Sequence, residues 1–144
     1  MHDEILFEFP KRAVETVKNV LKFLKVGEPI VKREPKDVRV EIPVMYLDFA
    51  VDKVHYDPSL KGPSPKGRHV KGYDVDIEEA KRAVENALKE AKVLEGVEYR
   101  EAERVWVVPV SWRKLIVMHV KVTYDGKEIV PDYGITSEVR RRIL

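Results

Sequence analysis

The residues that could do chemistry in this chain are few. It has four histidines (His2, His55, His69 and His119), four serines (Ser59, Ser64, Ser111 and Ser137) and no cysteine. The lack of cysteine excludes disulfides, thiolate zinc sites, iron–sulfur clusters and a cysteine nucleophile. His55 and Asp57 lie two apart and would share one face of a strand, with Asp48 and Asp52 nearby. Such a set could bind a metal or move a proton, but no pair has zincin or facial-triad spacing. No serine sits in a Gly-x-Ser-x-Gly elbow or a Ser-x-x-Lys motif. Gly62 and Gly67 have the glycine spacing of a P-loop, yet Arg68-His69 follows where Lys-Ser/Thr is required. The sequence therefore assigns no catalytic residue, no metal site and no cofactor.

Two groups of residues suit binding better. Trp106 and Trp112 are both even-numbered, so on an unbroken strand they point the same way, with Tyr99 close in sequence. Val105 and Val107 then occupy the opposite face, which makes both faces of that strand apolar. One face would be core and the other a contact surface for a protein partner or a second copy of the chain. The second group is basic. Lys61, Lys66, Arg68 and Lys71 fall in a segment rich in glycine and proline, with no acid from 58 to 73, and Arg140, Arg141 and Arg142 follow near the C-terminus. Such cations can track a phosphate backbone and gain affinity from counterion release. Only Tyr56 and Tyr73 flank the loop, so base stacking would be poor. DNA or RNA is the alternative partner.

The elements that would position these residues can be read from periodicity. Val14, Val17, Leu21 and Leu24 form one apolar face of a helix over 10–26, with Pro10 in its first turn and Gly27 as its stop. Residues 28–36, with Pro29 and Pro35, read as an extended connector. Val38, Val40, Ile42, Val44 and Tyr46 then alternate with polar residues, as a half-buried strand does. Pro43 implies that this strand is an edge or carries a bulge. A second strand follows to Tyr56, with its phase slipping near Asp52-Lys53. Asp76 and Glu79 form a capping box for a second helix, whose stripe runs from Ile77 through Ala80, Val84 and Ala87 to Leu94. Two more strands follow, over 105–112 and 116–124. Arg113-Lys114 turns between them, and Asp125-Gly126 gives a hairpin signal after the second. Thr136 or Ser137 would cap a short terminal helix.

Much of this is said twice. Lys11-Arg12-Ala13-Val14-Glu15 recurs as Lys81-Arg82-Ala83-Val84-Glu85. Pro43-Val44-Met45-Tyr46 answers to Pro109-Val110-Ser111-Trp112, and Tyr56-Asp57 to Tyr124-Asp125, at offsets of 70, 66 and 68 residues. The pattern predicts an internal repeat, 11–57 and 81–125, joined by a loop over 58–75. The fold class expected is α+β: an antiparallel sheet of four to five strands with two helices packed on one face, built from a duplicated helix-strand-strand unit. The second copy, with Ala80, Ala83 and Ala87 on its helix and Val120 to Lys127 after it, resembles the small PepSY-type module over residues 77–130. That resemblance implies a binding module and not an enzyme. Members of that family are typically exported or membrane-linked, whereas Met1-His2-Asp3-Glu4 lacks the basic start of a signal peptide.

Composition bounds the rest. The 144 residues, 44% hydrophobic and 36% charged, suit a single domain with one core and a densely charged surface. A net charge of +2 gives no overall field toward nucleic acid. Glutamine is absent and asparagine is confined to Asn19 and Asn86, a bias of heat-adapted proteins. No apolar run reaches the roughly 20 residues of a membrane span. The expectation is a cytoplasmic, non-enzymatic interaction module.

Overall fold

The computed structural model describes residues 2–35, 37–67 and 75–143 as an α+β fold with antiparallel sheets. Arg68, His69 and Lys71 of the basic loop lie outside the described residues. The described helices are α1 (His2–Leu21), α2 (Ile77–Glu90) and α3 (Tyr133–Ile143). The strands of the first half are β1 (Lys25–Val26), β2 (Ile30–Glu34), β3 (Asp37–Tyr46), β4 (Phe49–Asp57) and β5 (Gly62–Pro63). Those of the second are β6 (Lys92–Val93), β7 (Glu98–Arg100), β8 (Val105–Trp112), β9 (Leu115–Thr123) and β10 (Ile129–Val130).

Two sheets form where one was expected. The first has the order β1-β3-β4-β5 with β2 also on β3; the second has the order β10-β9-β8-β6 with β7 also on β8. The seam between them lies between β4 and β9, and side chain and loop fill it in place of a ladder. The Asp52 carboxylate accepts the His119 backbone N–H at 2.8 Å. The segment after β5 reaches both sheets: Ser64 N–H donates to the His55 carbonyl and Lys66 N–H to the Ile116 carbonyl, at 2.7 and 2.8 Å.

The prolines explain the broken edges. Pro43 and Pro109 sit inside the two long strands β3 and β8, and neither can donate to a neighbouring strand. Beside each, the outer partner leaves the ladder. On β3, β2 pairs as far as Glu41 and β1 resumes at Val44. On β8, β7 pairs with 105–107 and β6 with 110–111. The proline carbonyls still accept, from Gly27 N–H at 2.8 Å and Leu94 N–H at 2.9 Å. The expected connector over 28–36 is thus largely a strand. The first helix stops at Leu21 and the second at Glu90, each shorter at its C-terminal end than the apolar stripe suggested, because Lys25–Val26 and Lys92–Val93 are needed as strands. Helix α1 also begins earlier than expected, with Pro10 in its interior.

The inner hairpins share one register. Glu41↔His55 corresponds to Val107↔Lys121, and Tyr46↔Phe49 to Trp112↔Leu115, each 66 residues on. The register shift falls at the same place, between Val44 and Met45 and between Val110 and Ser111, with Val51 and Val117 as the extra residues. The phase slip read near Asp52 is this bulge.

A single apolar cluster takes residues from both halves, including Val17, Ile42, Val44, Val84, Val108 and Val110. Helix α1 lies against β8, β9 and β6, strands of the second half. Helix α2 lies against β5, β1 and β3 of the first half, and against β8. Asp76 caps α2 as expected, accepting from the Glu78 and Glu79 N–H groups. Helix α3 packs on β4, burying Ile135 and Val139 against Ala50. Its cap is Asp132, whose carboxylate accepts the Ile135 N–H at 2.9 Å; Thr136, expected as a cap, is buried and its hydroxyl accepts the Ala50 N–H at 3.0 Å.

Gly126 closes the β9–β10 turn with φ +77°, and a Cβ there would stand 2.6 Å from the Phe9 carbonyl oxygen and 2.9 Å from the Ala13 nitrogen. Both are backbone atoms of α1, so they cannot swing away. Gly126→Ala is expected to lower unfolding free energy by about 3 kcal/mol, through strain at the turn and displacement of α1. Denaturant unfolding reads this, and an unchanged midpoint would mean that α1 is not seated on this turn.

Candidate functional site

The structure places the two tryptophans differently. Both lie on one face of β8, as their parity predicted, and that face is the inner one. Trp112 is 4% exposed and lies in the core, its ring against Gly62 and its Nε1 donating to Glu90 Oε2 at 3.3 Å. It offers no surface to a partner. Val105 and Val107 on the other face are also buried. Trp106 is only half-buried, because it lies near the end of β8 where the layer between α1 and the second sheet opens.

At that opening four aromatic residues meet. The Tyr99 and Trp106 ring centroids are 4.8 Å apart, Phe9 and Tyr124 5.2 Å, and Tyr99 and Tyr124 5.9 Å. The Trp106 indole N–H donates to the Tyr124 carbonyl at 2.7 Å. Arg12 lies over the Phe9 ring and Arg104 over the Tyr124 ring, at 5.4 and 5.8 Å from the centroids. Cross-strand pairing sets the arrangement: Tyr99 faces Trp106 across β7 and β8. Helix α1 brings in Phe9 and is pinned by Arg12, which donates to the Asp125 carbonyl at 2.9 Å, and Thr16, which donates to the Gly126 carbonyl at 2.6 Å. Tyr124 remains 39% exposed. Sequence reading found Trp106 and Tyr99 here but missed Phe9 and Tyr124, which local spacing does not connect.

The described basic candidates, Lys61, Lys66 and Arg140–Arg142, do not gather. Lys66 is tied to Asp52 at 2.8 Å. Lys61 is exposed, in a left-handed conformation with φ 52°, and lines an open cavity of about 560 Å³ with Arg82, Arg113, Asp76, Glu79 and Glu90. Arg140, Arg141 and Arg142 form the exposed last turn of α3, where cations complement the helix dipole.

A polar cluster occupies the outer face of the first sheet. Glu41 is 3% exposed and its carboxylate meets Lys32 at 2.9 Å, His55 Nε2 at 3.1 Å and Lys53 at 3.2 Å. Burial alone would raise its pKa, but the hydrogen bonds from His55 and Lys32 and the Lys53 ammonium outweigh it and hold the carboxyl well below the usual range. Burial lowers the His119 pKa, and the Lys66 ammonium adds to this. Among the described residues no group of three or more His, Asp or Glu is placed to hold a metal ion. His55, the candidate acid–base residue of the sequence, is a partner of a structural carboxylate. No described helix is long and apolar enough to cross a membrane.

No protein-family model, curated protein or solved structure matches the chain, so the PepSY-type likeness of residues 77–130 rests on those residues alone.

Glu41 gives a pH dependence with a definite sign. Its folded pKa is depressed below the unfolded value near 4.3, so the unfolded chain takes up the proton first as pH falls. Its stabilisation is complete above that value and drains away as pH drops toward the folded pKa. Glu41→Gln is expected to cost about 2 kcal/mol at pH 7, since the flanking ammonium groups are partly exposed. The gap to wild type should narrow steadily as pH falls from about 5 to about 2. Urea unfolding over that range measures it, and a constant gap would exclude the carboxylate as its source.

Proposed function

We propose that this protein is a non-enzymatic interaction module that docks a protein partner, here taken first as a second copy of itself, through the aromatic end of its second sheet. The observation that carries the reading is the half-exposed Phe9–Tyr124–Tyr99–Trp106 cluster with Arg12 and Arg104 over its rings. Tyrosine, tryptophan and arginine are the residues enriched in binding hot spots, because large rigid rings bury area at little entropic cost. The partner surface is therefore Trp106 with its neighbours, without Trp112.

A nucleic-acid partner is the second reading. It is favoured by Lys61 and Arg140–Arg142, exposed cations for which no ion pair occurs among the described residues, and by arginines stacked on exposed rings. We further propose that the two halves descend from one helix-strand-strand unit. The shared hairpin register, the matching bulges and the matching prolines support this. Heat adaptation belongs to the same proposal. It predicts melting above about 80 °C, where mesophile domains cluster at about 45–65 °C, and calorimetry decides it.

Trp106 can report its own burial once Trp112→Phe removes the other indole. On concentration, its emission is expected to shift to the blue while light scattering shows a dimer. Tyr124→Ser with Tyr99→Ser should weaken association by about 10–100-fold, at a folded-state circular dichroism spectrum like that of wild type. A monomer at all concentrations with constant Trp106 emission overturns self-association. Anisotropy with labelled single-stranded RNA over a salt series then decides the second reading: steeply salt-dependent binding supports it and no binding at low salt removes it.

A further inference from the structure

We propose that a separate cleft, between the C-terminal end of α1, β1 and α2, binds a free single-chain fatty acid by its carboxylate and chain. The cleft has a volume of about 360 Å³, within the size range of small-molecule sites. Leu21, Leu24, Val26 and Leu88 give it an apolar floor, and Lys22, Lys25, Lys81 and Lys89 stand around it with Glu85 as the one acid in its lining. Leucines at the floor supply contact for methylene groups at about 0.8 kcal/mol for each one buried. Lysine stems can lie along the chain while their ammonium groups converge on one anionic head.

The charge balance selects the ligand. Lys81 is neutralised by Glu28 at 3.0 Å. Lys22, Lys25 and Lys89 have no ion pair among the described residues, and the Lys22 ammonium instead lies 5.2 Å from the exposed Phe23 ring. An apolar cleft with three unneutralised ammonium groups attracts an anion with an apolar tail and disfavours a neutral or cationic amphiphile. The other half of the molecule makes the contrast. Seventy residues before Leu88, the matching position on α1 is Lys18, whose ammonium reaches Glu15 at 3.6 Å and Glu95 at 3.9 Å. That end has a lysine where the cleft has its leucine, and ion pairs lie across it. The apolar, cation-rimmed character therefore belongs to one end only.

The test is titration of the whole protein with sodium decanoate below its micelle concentration, followed by amide NMR and calorimetry. Saturable one-site binding is expected, with shifts confined to 21–26 and 81–89. It should weaken by about tenfold in a Lys22→Ser, Lys25→Ser, Lys89→Ser variant with an unchanged melting temperature, and by a similar factor for neutral 1-decanol. Leu88→Lys, which copies the other half, should abolish it. Equal binding by the triple variant, equal binding of decanol, or shifts centred elsewhere overturns the proposal. So does binding only to anionic phospholipid vesicles, which would make the site a membrane contact.

Discussion

A proline within a long strand can accept a ladder hydrogen bond but cannot donate one, and this limit shapes the molecule twice. At Pro43 and Pro109 the neighbouring chain has nothing to receive, so it bends out and splits into two short pieces, β1 with β2 and β6 with β7. Each bend begins where Gly27 or Leu94 donates to the proline carbonyl. The short first piece must follow its helix at once, which ends α1 at Leu21 and α2 at Glu90. The ends of both helices are therefore fixed by a missing N–H in a strand further on, at Pro43, 22 residues after Leu21, and at Pro109, 19 residues after Glu90.

Because the helices end there, each lies partly on strands from the other half. The apolar residues of α1 face β8 and β9, and those of α2 face β1, β3 and β5. Neither half could cover its sheet with its own helix in this arrangement, and the shared cluster of Val17, Ile42, Val84 and Val110 joins them. The turn at Gly126 and the seam at Asp52 are further ties. Asp52 accepts the His119 N–H and neutralises Lys66, so one carboxylate closes the gap between the sheets and holds the loop across it.

The sequence carried most of the long elements and little of the surface. Period-two alternation placed β3 and β9, the capping box placed the start of α2, and the phase slip at Asp52 foretold a bulge. The two-residue strands could not be seen, since Lys25–Val26 and Lys92–Val93 continue a helical stripe and only long-range pairing makes them strands. Parity put both tryptophans on one face but could not say that this face is the inner one. Parity fixes direction on a strand, but whether a helix covers a position depends on the partner element, so Trp112 is core and Trp106 is rim. The aromatic cluster joins residues 9, 99, 106 and 124, separations that no local pattern spans. The basic loop was a composition signal, and composition does not say that Lys66 has Asp52 for a partner.

The proposed duplication, followed by divergence, would give a reason for the uneven surface. On the outer face, Glu41 occupies the site that Val107 occupies in the second half, and His55 the site of Lys121. Burying Glu41 requires cations around it, and α3 covers the same sheet, bringing Glu138 to within 3.9 Å of Lys32. That side is committed to structure. Among the described residues the second half has no such helix on its outer face, and it keeps Tyr99, Trp106 and Tyr124 at the open end, beside α1. The two halves share one core, which constrains the inner faces of both. The outer faces and ends carry no such constraint, so those are the positions where the halves could become different, and where binding chemistry could be added without loss of the fold.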